Sequence, residues 1–402
     1  MNLYNTLTQQ LEPVSTDDGT MRMYVCGVTP YDTTHLGHAF TYVCFDTLAR
    51  YLEFLGYETI TVENVTDIDD DILKRAAKVG MPWNELAERE TQKFLADMKA
   101  LNVRPPTHYP RATQEIPQIL EMATDLLAKG YAYERNGNVY YEVRRDPDFG
   151  ELGHMDYPEM LETANERGNF PDDPNKRDPL DFVLWQAAKP GEPSWQSPWG
   201  LGRPGWHIEC SAMSMHYLGL RVDIHSGGAD LIFPHHTCEI AQSEHYSGVS
   251  PFVCYWFHIA MVRLAGEKMS KSLGNMLFVS DLLKTFSANA IRYYLLSHKY
   301  RDPWDADDAE AELRSAAASL TRWQSALAAP NGNGAELDPM PYEGLFGGAM
   351  DDDFDTPRAI RHLDELVDAI LAAAQAGHHV ATAQQAVRML AGVLGLQLEA
   401  DS

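Results

Sequence analysis

At 402 residues the chain is long enough for two or three domains, and 45% hydrophobic content is that of an ordinary globular protein. With 58 acidic and 32 basic residues the formal charge is −26, which argues against DNA or another polyanion held by a broad basic face, although a local patch stays open. No apolar run approaches the ~20 residues of a membrane span, and the start, MNLYNTLTQQLEP, lacks the basic and apolar segments of a secretory leader.

The five cysteines (26, 44, 210, 238, 254) form an odd, widely spaced set, unlike a disulfide framework. A reducing, cytoplasmic setting is expected, with Cys44 and Cys254 as buried core thiols. Along the chain, the first marked stretch is Tyr24–Tyr42, YVCGVTPYDTTHLGHAFTY. Its β-formers, its turn residues Gly27 and Pro30, and the apolar periodicity that follows through Leu55 read as strand, tight loop and helix. In an open parallel sheet that is where a nucleotide binds, at a strand's carboxyl end against a helix N-terminus. Gly37 would let a purine approach the backbone, and His35 and His38 could donate to phosphate oxygens.

Glu58–Val65 reads as a buried parallel strand, ending in Asn64-Val65-Thr66-Asp67 before a helix at Ile72–Val79. Those last residues serve equally as a helix cap and as a ligand-binding strand end. Helices are expected at Trp83–Leu101 and Gln114–Lys129, then a hairpin at Tyr131–Arg145 turning on Asn136-Gly137. The Pro-, Asp- and Gly-rich residues up to 205 look like an insertion, placed at about 110–205, between two halves of the nucleotide fold. Strand–helix alternation resumes at Gly205, with Val222-Asp-Ile-His225 and a third strand-end loop, Gly227-Gly228-Ala229-Asp230, where Asp230 could accept from ribose hydroxyls. Beyond Asn275 the pattern is helical: Val279–Phe286, Ala288–His298, Asp305–Ala328, a linker at Ala329–Pro341, then Asp351–Ala376 and Thr382–Leu396. The expected architecture is α/β: a Rossmann-like (HUP-type) parallel-sheet domain over residues 1–290 with an insertion, followed by an all-helical bundle over 291–402. No further anticodon-binding domain is expected, and the chain is expected to be a monomer.

His35-Leu-Gly-His38 and, more than 200 residues later, Lys268-Met-Ser-Lys271-Ser272 resemble together the paired signature of the class I aminoacyl-tRNA synthetases. Two lysines three apart can close over a polyphosphate as point charges. Cys26, Gly205-Trp-His-Ile-Glu-Cys210 and Phe233-Pro-His-His236 further resemble the zinc site of the cysteine-activating branch of that family. That branch holds a tRNA-charging enzyme and a ligase of mycothiol synthesis that acylates glucosaminyl-inositol. The resemblance implies one zinc per chain held by Cys26, Cys210, His235 and Glu239. His235 and Glu239, four apart, would share one helix face, and Cys238 is a weaker alternative. The HExxH of a hydrolytic zinc enzyme is absent.

The resemblance also implies the chemistry. The carboxylate of L-cysteine attacks the α-phosphate of ATP, accompanied by Mg2+, and pyrophosphate leaves. His35, His38, Lys268 and Lys271 would stabilise the transferring phosphate, with no side-chain nucleophile. Gly27, Thr29, Thr41, Asn64, Thr66, Trp206, Gly228, Asp230 and Val262 would line the cysteinyl-adenylate. Zinc would distinguish a thiol from a hydroxyl, which shape separates by only ~1–3 kcal/mol. For the acceptor, Thr29-Pro-Tyr-Asp32, Phe40 after HLGH, the Glu166-Arg167-Gly168 run and the acidic last hundred residues point to the sugar amine. In that case Asp32 or Asp69 could take the amine's proton. Transfer to tRNA-Cys is the second reading.

Overall fold

In a computed structural model, the described residues are 1–31, 34–268 and 276–398, with the backbone alone at 267–268. The centre is a four-stranded parallel sheet in the order Val253–Ile259, Val222–Gly228, Thr20–Val28, Glu58–Val65. Met21, Met23, Tyr24 and Val25 are buried, as a central strand covered on both faces requires. The first strand in sequence lies between the second and the third, so chain order reverses on either side of it. Its pairing with Val222–Gly228 runs from Met23–Ile224 to Val25–Ser226 and no further. Beyond that point Cys26–Gly27 and Gly227–Gly228 flank a cleft at the topological switch point, where such sheets bind ligands.

The two faces of the sheet carry separate cores. On one, the helix Leu36–Phe54 packs through Phe40, Val43 and Leu48 into a core shared with Trp323, Leu363 and Leu390 of the helical part. On the other, the helix Trp206–Leu218 packs through Ile208 and Met213 with Trp185, Phe233 and Trp256. The second core extends into a five-stranded antiparallel sheet built from Ala132–Arg135, Asn138–Tyr141, Phe182–Ala187, Trp195–Ser197 and Gly200–Pro204. Its first hairpin turns where expected, with Asn136 and Gly137 both at positive φ.

The helical part consists of Ala309–Leu327, Met340–Asp351, Thr356–Gln375 and Ala381–Val393. Arg292, 1% exposed, ties it to the sheet domain: its guanidinium donates to Asp46, to Thr47 Oγ1 and to the carbonyls of Leu101 and Leu394. The strand Val253–Ile259 and the helix Met340–Asp351 add to the expected elements, the latter filling the unassigned residues between the expected linker Ala329–Pro341 and the expected helix from Asp351. Cys254 is half-buried at the sheet edge, whereas Cys44 is fully buried as expected.

Candidate functional site

Four residues from three elements meet at the cleft's floor. Cys26 ends the first strand, Cys210 lies in the first turns of Trp206–Leu218, and His235 and Glu239 come from the segment that turns into the helix Thr237–Ser247. Cys26 Sγ lies 3.7 Å from Cys210 Sγ and 3.5 Å from Glu239 Oε1, and His235 Nε2 lies 3.2 Å from the same Oε1. A tetrahedral ion with bonds of ~2.3 Å to sulfur and ~2.1 Å to nitrogen or oxygen needs edges of roughly 3.8 Å for S–S, 3.5 Å for S–O and 3.4 Å for N–O. The observed separations match these, so the residues fit a soft divalent metal. Burial, then the neighbouring Cys210 and Glu239, pushes the Cys26 thiol well up, and burial raises Cys210 too. A divalent charge at the centre reverses that preference, because it takes thiolate ligands.

The surrounding groups orient the ligands. His235 Nδ1 lies 2.9 Å from His207 Nδ1, and Trp206 stacks on the His235 ring at 4.3 Å. Burial, with His207 and His225 adding to it, drives His235 well below its ordinary value, and burial with Lys176 takes His207 down to about 3. With both rings neutral, a His235 that held a metal through Nε2 would carry its proton on Nδ1, toward His207. Glu239 uses Oε1 in the cluster and Oε2 against His225 Nε2 at 3.0 Å. A second overlapping group, Cys26, His225, His236 and Glu239, lies just behind. Its histidines belong to a relay away from the cleft: His236 Nε2 to Cys26 Sγ at 3.3 Å, His236 Nδ1 to His258 at 2.7 Å, and His258 to Thr6 Oγ1 at 2.7 Å. Of these groups His207, His225, His236 and His258 were not assigned roles from sequence. The adjacent FPHH and GWHIEC runs were the available signal for two of them. Cys238 is buried in the core and outside both groups.

Several residues expected at the adenylate lie at the ends of the same strands. Gly27 N–H donates to Asn64 Oδ1 at 2.7 Å, and a Cβ on Gly27 would come within 1.5 Å of the Asn64 carbonyl, so only glycine lets these strands approach. Asn64 also reaches Thr66 Oγ1 (3.4 Å) and Cys210 Sγ (3.6 Å), linking the second strand end to the metal cluster. Thr29 is half-buried just past the first strand. Gly228 ends the third strand with the Asp230 carboxylate folded against it, 2.5 Å from where a Cβ would stand. His35 caps the helix Leu36–Phe54: its Nδ1 accepts from Gly37 N–H (3.1 Å) and lies 3.4 Å from His38 N, and its ring stacks on His38 at 3.7 Å. Thr41 donates to the Gly37 carbonyl, and Val262 is buried in the helical-side core. Lys268 pairs through its backbone with Arg263, while Lys271 and Asp32 lie outside the described residues.

Residues 12–317 match the tRNA synthetases class I (C) catalytic domain, and residues 345–399 the DALR domain. A cysteine–tRNA ligase of Dehalococcoides mccartyi is 46% identical over 402 residues, covering 99% of this chain and 86% of its own. The cysteine–tRNA ligase of Laribacter hongkongensis is 48% identical over 372 residues, covering 91% and 79%. A methionyl-tRNA synthetase of Mycobacterium tuberculosis bound to methionyl-adenylate shares the fold, with a TM-score of 0.69 at 16% identity over 94% of this chain and 92% of its own.

These relatives overturn the sugar-amine reading of the acceptor, and the structure explains how the sequence misled. Phe40, taken as an acceptor mark, is fully buried and meets Trp304 edge-on at 5.5 Å. The acidic run Asp351–Asp353 is partnered within the fold: Asp351 bonds Tyr51, Asp352 pairs with Arg358, and the buried Asp353 accepts from Tyr4 N–H, Tyr300 and Arg301. The chain belongs to the class I (C) tRNA synthetases, ligases that activate cysteine with ATP and release AMP and pyrophosphate.

Proposed function

We propose that the chain charges a tRNA with cysteine. The observation that carries this reading is the Cys26–Cys210–His235–Glu239 cluster at tetrahedral spacing on the floor of the switch-point cleft, in a chain whose relatives bear the name cysteine–tRNA ligase. The donor set supports zinc, which accepts thiolate, imidazole and carboxylate together. When bound, the ion would favour a substrate thiolate over a serine hydroxyl. Trp206 and Thr66 would close the pocket around the side chain, and Asn64, bonded to both Gly27 and Thr66, would fix its width.

The ATP, with Mg2+, would lie across Gly228 and Asp230 with its phosphates at the first turn of Leu36–Phe54. There the helix N-terminus, His35, His38, Lys268 and Lys271 would oppose the charge that grows on the phosphate. In the second step a tRNA 3′-terminal hydroxyl would take the cysteinyl group. The helical part, matched as a DALR domain over 345–399, would meet the body of the tRNA. The test is charging: purified protein, cysteine, ATP and a tRNA pool, followed by isolation of the esterified species. Cysteinyl-tRNA-Cys is expected, weakening with added salt as phosphate contacts require. Cysteine-dependent pyrophosphate exchange without any charged tRNA would overturn the proposal while leaving cysteine activation intact.

A further inference from the structure

Arg167 stands at the end of the insertion helix Tyr157–Glu166, and its guanidinium reaches off the insertion onto the catalytic domain. Nη1 donates to the carbonyls of both Asp230 and Phe233. Those carbonyls bracket the segment in which the third strand passes into the helix Thr237–Ser247. The helical path breaks inside it, at Phe233, with φ −136° and ψ 133°. Broken helical turns leave carbonyls without a regular ladder, and one planar fork can serve two of them at once. The base of the fork is anchored too. Asn169 binds the Pro179 carbonyl and accepts from Lys176, so the residues after Arg167 are part of the insertion's body.

We infer that Arg167 is a positioning residue for the nucleotide: it sets the carboxylate of Asp230 against Gly228 and thereby couples the insertion to the ribose end of the cleft. The inference rests on the reading that Gly228 and Asp230 receive the adenosine. The segment also leads to His235, but that ring is held independently by Trp206, His207 and Glu239. Loss of the clamp should therefore be felt by ATP and not by the metal or cysteine. Asp230 lies so close to Gly228 that a shift of its backbone must carry the carboxylate with it.

The experiment compares Arg167→Ala, Arg167→Lys, Asp230→Ala and the double variant Arg167→Ala/Asp230→Ala in the full chain. The readouts are cysteine-dependent pyrophosphate exchange, metal content and melting temperature. Arg167→Ala is expected to raise the KM for ATP about tenfold, the effect of losing one charge-assisted pair of contacts, with the KM for cysteine within about twofold and metal retained. Arg167→Lys keeps the charge but lacks the rigid planar fork and the reach of the guanidinium, and should fall between. The double variant should be no worse than Asp230→Ala alone, because both act through one carboxylate. An unchanged KM for ATP in Arg167→Ala beside a raised one in Asp230→Ala, or additive effects in the double variant, would overturn the inference. A silent Asp230→Ala would remove the adenosine reading of the loop, and the inference with it.

Discussion

Glu63 lies on the strand Glu58–Val65, 6% exposed, against a cavity of about 170 Å³ lined by Tyr42, Phe45, Val103 and Arg104. Its Oε1 has no hydrogen-bond partner among the described residues. Burial pushes its carboxyl from an ordinary 4.5 up to about 8. Because the folded value lies above the unfolded one, the native state prefers the protonated acid. The stability associated with that proton is complete below about pH 4.5 and is lost as pH rises through about 8. At about 1.4 kcal/mol per pH unit, the loss reaches about 3 kcal/mol at pH 7 and about 4 kcal/mol at pH 8. Glu63→Gln keeps the shape and cannot ionise, so it removes this dependence while adding only a pH-independent offset. Urea unfolding of both proteins at pH 5 and pH 8, at equal ionic strength, should show Gln gaining several kcal/mol relative to Glu between the two conditions. Parallel pH profiles for the two proteins would refute the reasoning, since they would mean that Glu63 titrates alike folded and unfolded.

Cys210→Ala should lose the metal together with the preference for cysteine over serine; metal analysis and exchange with each amino acid check this, and a variant that still selects cysteine removes the cluster from recognition. His207→Ala, which frees the Nδ1 side of His235, should weaken metal affinity about 10–100-fold without unfolding the chain, measured by chelator competition. Arg292→Met removes the ties to Thr47 and to the carbonyls of Leu101 and Leu394, while Asp46 keeps Arg50 and Arg104, and should cost about 1–3 kcal/mol in chemical denaturation; an unchanged stability would mean the tie is ornamental. Gly27→Ala should fold poorly or lose exchange activity, because its Cβ has no room beside the Asn64 carbonyl; a fully active Ala variant would show that the strands can part.

The strand–loop–helix at Tyr24–Leu55 and the Glu58–Val65 strand were legible from local pattern; the four cluster residues, scattered over more than 200 positions, were legible only through the family resemblance. The strand Val253–Ile259 was not. It carries Trp256, Phe257 and His258 in an uninterrupted apolar run, and a strand buried on both faces has no alternation to read. Met340–Asp351 escaped for the opposite reason: three glycines and a proline make its local propensity poor, and packing of Phe346 and Met350 overrides it. The histidine relay was invisible because His225, His236 and His258 come from different elements and converge only in the fold. The acceptor was misjudged because Phe40 and the Asp351–Asp353 run carry no label saying that they are partnered within the fold.

The sheet separates two kinds of reading. Cys26, Cys210, His235 and Glu239 face the core that contains the insertion, whereas the helix Leu36–Phe54 belongs to the core of the helical part. That 19-residue helix is a rod of about 28 Å. Its first turn holds His35 and His38, and its middle is pinned through Asp46 and Arg292 to the carbonyl of Leu394 near the far end of the bundle. On the proposed reading, a macromolecule leaning on the bundle would bear on the lever whose tip would meet the phosphates, while the thiol-sensing cluster on the opposite face would be left undisturbed. The amino acid would then be judged before the larger substrate arrives, and docking of that substrate would not loosen the judgement.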